Sequence, residues 1–231
     1  EYTVEGIRAV TDIGKKDFLR SILIRESKRS ELEPLVEKGF TVSSVYVVQD
    51  PIFDKIEHSV NGQGILGIAK KCVNDLHSLI VEDGLYVALD GVQDPGNLGT
   101  IIRTAVAAGA KGIFLLKGTV DPYNEKCVRS TMSALCNIPI FEDVTLSEFY
   151  DFIKDNTIKT YVTSLENAKP YHTISYPKRT MIILGNEGNG VSREIIEMCD
   201  QAITIPMYGD IESLNVSIAA ALCMYKVREQ I

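Results

Sequence analysis

Apolar and polar positions recur along the chain with two periods, about 3.6 and 2, and the switching between them predicts strands and helices in alternation. In the first 70 residues, 2–4 read as a short strand and 5–15 as a helix turning Ile7, Val10 and Ile13 inward. Strands follow at 21–25, 45–48 and 65–69, with helices at 31–38, stopped by Gly39, and at 51–58. Residues 71–83 break this rhythm and end in acids. That break predicts two domains, residues 1–72 and 83–231, with 73–82 as linker.

The second part alternates again. Residues 85–89 (LYVAL) form a continuous apolar run, as expected of a strand buried on both faces. Helices are predicted at 98–108, 124–135, 146–155, 193–198 and from Ser213 onward, and strands at 113–116, 160–163, 181–184 and 202–205. Such alternation implies an α/β fold with a mainly parallel sheet covered by helices.

Composition narrows this little. The chain has 231 residues, 45% hydrophobic and 24% charged, which is ordinary for a globular protein. No apolar run reaches the roughly 18 residues a membrane span needs, and no charged-then-apolar leader is visible, so no membrane is expected and the cytoplasm is. The chain opens at Glu1 with strand already at residues 2–4, which points to further residues upstream. Five cysteines (Cys72, Cys127, Cys136, Cys199, Cys223) and three histidines form no zinc spacing. Reduced thiols and no metal are the expectation.

Charge changes the picture once it is divided. The net charge is −7, from 24 basic and 31 acidic side chains. Residues 1–72 carry 11 of each, so the whole excess belongs to residues 73–231. Within 15–30, six cations including Lys28 and Arg29 face only Asp17 and Glu26. That stretch can meet phosphates or be an ordinary solvated face.

Three loops carry candidate chemistry. Residues 89–103 (LDGVQDPGNLGTIIR) run from a buried strand through Gly91, Gly96 and Gly99 into a helix, and lack the GxGxxG dinucleotide fingerprint. Asn97 alone reads as a helix cap, and Arg103 lies one turn beyond Gly99. Residues 181–192 (MIILGNEGNGVS) place three glycines and Glu187 after a strand, more than a tight turn needs. Residues 203–216 (ITIPMYGDIESLNV) lead into a helix that is apolar nearly all round, with Ser213 as its expected cap. Loops at the carboxyl ends of parallel strands are where such folds bind ligands.

In this order and context the three resemble one family. Asn97, Gly99 and Arg103 match its first motif; Leu184, Gly185, Glu187 and Gly190 its second; Ile205, Pro206, Met207, Ser213, Leu214, Asn215, Val216 and Ser217 its third. The chain thus resembles SpoU (TrmH-like) RNA 2′-O-ribose methyltransferases of the α/β-knot superfamily. Val4-Glu5-Gly6 and Gln63-Gly64-Ile65 are also similar to that family's L30e-like substrate-binding domain.

The resemblance implies a deep trefoil knot in the C-terminal domain, S-adenosylmethionine as cofactor, RNA as substrate (rRNA preferred, tRNA as the alternative) and a homodimer formed through the knot domain. Its catalytic set falls on Arg103, Asn97, Glu187, Ser213 and Asn215, with Arg103 either the base or the group orienting the 2′-hydroxyl. Cofactor contacts fall on Thr163, Gly185, Ile205, Met207, Leu214 and Asn215, and an RNA contact on Arg129, to which the basic stretch adds Lys28 and Arg29. One departure concerns residues 129–134. Where members often have Arg-Ala-Ser-x-Gly-Ala, this chain has Arg129-Ser130-Thr131-Met132-Ser133-Ala134. Two rivals remain: a nucleotide-dependent enzyme on a Rossmann sheet, using Gly91–Gly99 for a pyrophosphate, and an RNA-binding protein of the same fold without activity.

Overall fold

The computed structural model describes residues 1–39, 42–59 and 62–231. Its first part contains β1 (Tyr2–Glu5), α1 (Ile7–Gly14), β2 (Leu19–Arg25), α2 (Arg29–Gly39), β3 (Ser44–Val48), α3 (Asp50–Phe53) and β4 (Ile65–Ala69). The strands form one sheet in the order β1-β4-β2-β3, antiparallel except for the parallel pair β2/β3. α1 buries Val10 and Ile13 against it, as its apolar spacing predicts, and leaves Ile7 half-buried.

The second part contains β5 (Gly84–Asp90), α4 (Pro95–Ala107), β6 (Gly112–Leu116), α5 (Glu125–Thr131), β7 (Ile140–Val144), α6 (Leu146–Asp155) and β8 (Lys159–Thr163). It continues with β9 (Lys169–Pro170), β10 (Arg179–Gly185), α7 (Arg193–Met198), β11 (Gln201–Thr204) and α8 (Val216–Arg228). Its seven strands run β7-β6-β5-β10-β8-β11-β9, and every neighbouring pair is parallel. The interior strand β5 is buried from Gly84 to Leu89. Alternate residues feed two cores. Val87, Leu89, Ile182 and Leu184 pack with α4, α5 and α8 on one face. Tyr86, Ala88, Met181 and Ile183 pack with Phe149 and Phe152 of α6 and Ile195 of α7 on the other. An apolar run buried on both faces is what this arrangement demands.

The first apolar cluster continues into the small sheet. Tyr2 meets Tyr123 with ring centroids 4.9 Å apart. In the stretch 73–82, expected as a linker, Asn74 Nδ2 donates to the Ile140 carbonyl of β7 at 3.0 Å, and Leu76, Leu79 and Val81 pack against the second core. No helix among the described residues is long and apolar enough to cross a membrane.

Several expectations need correction. The helix expected over 124–135 ends at Thr131, because Met132 (φ 49°) and Ser133 (φ 71°) are left-handed and turn the chain into a short 3-10 segment, Ala134–Asn137. α3 closes after Phe53 rather than at residue 58. Strands β7 and β9 carry none of the apolar runs that mark buried strands. They lie at the two edges of the sheet, where one side of the backbone needs no partner strand and polar residues are tolerated. α4 begins at Pro95, three residues early, because Asp94 caps it: its side chain accepts from Asn97 N at 2.9 Å and Pro95 occupies the first helical position. α8 begins at Val216, capped by Asn215 rather than Ser213.

Candidate functional site

The parallel register brings the carboxyl ends of β5, β10, β8 and β11 side by side. Gly185 lies opposite Asp90, Ile183 opposite Val162, and Thr163 opposite Ile203. The three motif segments leave the sheet at this edge.

The first segment is fixed from below and from the side. Gly91 N donates to Thr119 Oγ1 at 3.1 Å, and Thr119 Oγ1 donates to the Leu89 carbonyl at 3.0 Å. Asp94 accepts from Lys126 Nζ at 2.6 Å while capping α4. Lys126, with the Asn97 amide, holds the Asp94 carboxyl below the usual carboxylate range. Gly99 lies inside α4 rather than in the loop. A Cβ there would stand 2.5 Å from the Cys127 carbonyl oxygen and 2.6 Å from Ser130 Cβ, so this glycine admits α5 to α4.

The second segment folds over the end of β10. Asn186 Nδ2 donates to the Gly91 carbonyl at 2.8 Å, and Ser192 N donates to Asp90 Oδ2 at 2.7 Å, so the first two motif segments are stitched together twice. A Cβ on Gly185 would fall 2.1 Å from the Gly190 carbonyl carbon, so only glycine permits the fold-back.

With Asp94 capping α4, the Asn97 side chain is free for another task. Its Nδ2 donates to Glu187 Oε1 at 2.9 Å, and its Oδ1 accepts from Asn215 Nδ2 at 3.0 Å. Glu187 also accepts from Gln93 N at 3.2 Å and Asp94 N at 3.3 Å. Partial burial pushes its carboxyl up, but donation from Asn97 and these backbone groups outweighs it and leaves Glu187 below the usual range. Asn215 Oδ1 accepts from Ser217 N at 2.9 Å and Ser217 Oγ at 2.6 Å. A continuous path thus runs from the start of α8, through the first turn of α4, to the second loop.

Not every expected residue joins it. Arg103 stands on the exposed side of α4 and Arg129 on that of α5. Among the described residues neither has a carboxylate partner. Six residues on one helix separate Asn97 from Arg103 by about 9 Å along the axis, and Arg103 makes no hydrogen bond to the path among the described residues. Ser213 is exposed in the loop before α8. Lys28 and Arg29 make exposed pairs with neighbours: Lys28 Nζ lies 3.0 Å from Glu31 and Arg29 Nε 2.9 Å from Glu33. Asp94, Asn186 and Thr119 escaped the sequence reading. Only Asp94 had a signal, an acid directly before a proline at a helix start.

Thr163, Ile205, Met207 and Leu214 are half-buried at the ends of β8 and β11 and on the loop to α8; Gly185 is buried between them at the end of β10. Apolar side chains stand here beside main-chain groups that have left the sheet ladder. This lining fits a ligand with an apolar face and hydrogen-bonding edges that backbone amides and carbonyls can meet. Among the described residues no cluster of His, Cys, Asp and Glu is arranged to hold a metal ion.

Residues 84–225, which span the large sheet and every segment of this site, match the model of the SpoU rRNA Methylase family. The chain belongs to that family. It is 33% identical over 230 residues to the 23S rRNA (guanosine(2553)-2′-O)-methyltransferase RlmP of Bacillus subtilis (strain 168), covering 98% of this chain and 88% of that relative. The crystal structure of an AdoMet-bound rRNA methyltransferase from Sinorhizobium meliloti superposes with a TM-score of 0.86 at 29% identity, over 99% of this chain and 87% of that one. The SpoU methyltransferase AviRb from Streptomyces viridochromogenes gives a TM-score of 0.85 at 25% identity, over 100% and 89% of the two chains. In this SpoU family member the three motif segments meet in one place, joined by the Asn215–Asn97–Glu187 path.

Proposed function

We propose that this chain methylates a ribose 2′-hydroxyl in ribosomal RNA, in the cytoplasm, with S-adenosylmethionine as methyl donor. The observation that carries the reading is the path from Asn215 through Asn97 to Glu187, which ties all three motif segments together at the ligand-binding edge of the sheet. Membership of the SpoU family and the likeness to RlmP along nearly the whole chain support the substrate class.

Bound S-adenosylmethionine supplies a sulfonium methyl open to attack by an oxygen nucleophile. Gly185, Ile205 and Leu214, with Thr163, Met207 and Asn215, hold it through main chain and apolar contact. The Asn97–Glu187 pairing fixes the α4 N-terminus against the second loop, which sets the distance between cofactor and ribose; orientation of this kind supplies much of a barrier reduction. A guanidinium in a protein stays protonated. Arg103 accordingly holds the 2′-oxygen and a neighbouring phosphate in line; as the oxygen–methyl bond forms and the sulfur–methyl bond breaks, the hydroxyl proton passes to solvent water rather than to the guanidinium. Ser213, on the loop beside Asn215, borders the ribose, and Arg129 on α5 meets the RNA backbone, together with Lys28 and Arg29 of the small sheet's region. Residues 1–72 form the L30e-like substrate-binding domain in this reading, and 83–231 the knotted catalytic domain. The placement of β10 between β5 and β8, followed by the return of α8 to α4 and β10, is consistent with the knot.

The active unit is a homodimer. α8 buries Ala220, Cys223, Met224 and Val227 inward, yet exposes Ile218, Leu222 and Tyr225 by 51%, 38% and 49%. These three recur at helical spacing on one face, and a second copy of the chain covers them.

Ribose-methylation mapping of rRNA and tRNA from cells with and without the gene tests the reading. One rRNA 2′-O-methyl mark should disappear with the gene and return with the wild-type chain. Loss of a tRNA mark alone would overturn the substrate, and loss of none would overturn the activity.

A further inference from the structure

Cys72 and Cys136 come from opposite sides of the contact between the two sheets, yet their sulfurs lie 3.0 Å apart, with Cys72 Sγ donating to Cys136 Sγ. Neither belongs to the site above. Both are half-buried, as is Cys199, whereas Cys127 and Cys223 are buried.

Each member of the pair is pinned by its backbone. The Tyr123 hydroxyl accepts from Cys72 N at 2.9 Å and donates to the Cys72 carbonyl at 2.9 Å. Lys16 Nζ donates to the Cys136 carbonyl at 3.1 Å, and the Tyr2 hydroxyl lies 3.3 Å from Cys136 Sγ. Two thiols held in contact by such anchors react with each other far faster than either meets a second external thiol. The polarity of the contact also separates their roles. The hydrogen bond from Cys72 draws the Cys136 thiol down to about 7 against the opposing effect of burial, with Tyr2 and the Lys16 charge assisting. As donor to Cys136, and partly buried, the Cys72 thiol is raised. Burial alone pushes Cys223 up to about 12, and burial dominates at Cys127 and Cys199, also raised to about 12. The attacking thiol in disulfide exchange is best when it ionises near ambient pH.

We propose that Cys72 and Cys136 form a redox-active dithiol that closes to an intramolecular disulfide on meeting a low-molecular-weight disulfide such as oxidised glutathione. Cys136, as thiolate, attacks one sulfur of the small disulfide; that S–S bond breaks, and the departing thiolate takes up a proton. Cys72 then gives up its proton and attacks the Cys136 sulfur of the mixed disulfide, expelling the second small thiol. Two protein thiols are oxidised and one small disulfide is reduced to two thiols. The new bond ties the chain just beyond β4 to the turn after α5, and so fixes the small sheet against the helix that carries Arg129.

The test uses the full chain, reduced, freed of reductant and incubated with excess oxidised glutathione before alkylation and mass spectrometry. The expected product has lost two hydrogens, yields a cross-linked peptide pair containing Cys72 and Cys136, and reverts with dithiothreitol. Cys72→Ser should trap one glutathione on Cys136, and Cys199→Ser should behave as wild type. A stable glutathione adduct on the wild type without the cross-link, a cross-link between other cysteines, or no reaction overturns the proposal. Should Cys72→Ser fail to fold, the wild-type peptide map decides by itself.

Discussion

Asn215 Nδ2 donates to Asn97 Oδ1 at 3.0 Å across 118 positions of sequence, and that bond joins the N-termini of two helices, α8 and α4. Asn215 caps α8 with its oxygen while its nitrogen reaches Asn97, so one amide serves both helix and site. Asn97 passes the connection to Glu187, where the path ends on a charge. Amide side chains have no proton to release at neutral pH. The path therefore acts as a scaffold, and removing its charged terminus should loosen the site before it alters any chemical step.

Glu187→Gln tests that. The carboxylate accepts from Asn97 and from two backbone amides, and a carboxamide turns a donor toward one of them. The expected cost is about 1 kcal/mol of stability for a partly exposed acceptor, with a several-fold loss of methyl transfer. The sign of the pH dependence follows from the depressed carboxyl. Its contribution is complete above the ordinary Glu range and is lost as the pH falls through the lowered folded-state value. The gap in Tm between wild type and variant should therefore hold steady through neutral pH and close on acidification. A gap that widens in acid would contradict the assignment.

Arg103→Ala should abolish methyl transfer and leave S-adenosylmethionine affinity within a few-fold, because Arg103 is assigned to the ribose oxygen and phosphate and not to the cofactor. Calorimetric titration with cofactor and a radiolabelled methyl-transfer assay separate the two effects. Arg103→Lys should rescue little, since a single ammonium cannot hold a hydroxyl and a phosphate in the fixed fork of a guanidinium. Unchanged turnover in the alanine variant removes Arg103 from the mechanism.

What the sequence made legible follows the strength of its physical signals. The run from Leu85 to Leu89 predicts a strand buried on both faces and lies in the interior of the large sheet, beside the central β10. α6 begins where expected because Thr145 and Glu148 cap it reciprocally. Edge strands give no such signal: β7 contains Glu142 and Asp143, the latter at φ 52°, and the register slips beside it. At the site, motif spacing located Asn97, Glu187 and Asn215, but not that they touch. Contacts across 90 and 118 positions depend on strand order. The expected caps failed for a simpler reason. Asp94 and Asn215 lie three and two positions from the residues first chosen; Asn, Asp and Ser cap about equally well, so only Pro95 after Asp94 marked the true start, and at α8 the sequence did not separate Ser213 from Asn215.

Ser133 gives a stability prediction. It sits at φ 71°, the left-handed region that favours glycine. Such a conformation costs a side-chain-bearing residue about 1–2 kcal/mol, partly offset in glycine by its greater freedom when unfolded. Ser133→Gly should therefore stabilise the chain by roughly 0.5–1 kcal/mol, a Tm rise of about 2 °C at this size. A lowered Tm would mean that the Ser133 side chain contributes more than its backbone loses.

Leu222→Glu probes the exposed stripe of α8. Leu222 is 38% exposed between Ile218 and Tyr225, so a carboxylate there remains solvated in a monomer but is buried, without a partner, in a dimer. Light scattering coupled to size exclusion should give a dimer for the wild type and a monomer for the variant, with unchanged far-UV circular dichroism. A wild-type monomer would end the dimer assignment; a dimeric variant would move the interface away from this stripe.

The basic stretch yields the last prediction. Lys28 and Arg29 are each paired with a glutamate one turn on, and Arg25 lies 2.6 Å from Asp54 and 2.7 Å from Glu57. Such exposed pairs hold their charges loosely, so phosphates can replace Glu31 and Glu33 as partners of Lys28 and Arg29, whereas Arg25, bound between two carboxylates, remains structural. Reversing Lys28 and Arg29 to Glu should leave the Tm nearly unchanged and weaken RNA binding. It should also reduce the slope of log affinity against log salt by about 1.5, the value for two lost phosphate contacts. Arg129→Glu, on the other side of the contact between the sheets, should reduce it by about half as much. A double reversal that weakens binding at low salt but leaves the slope untouched would mean the two residues shape the surface without touching phosphate.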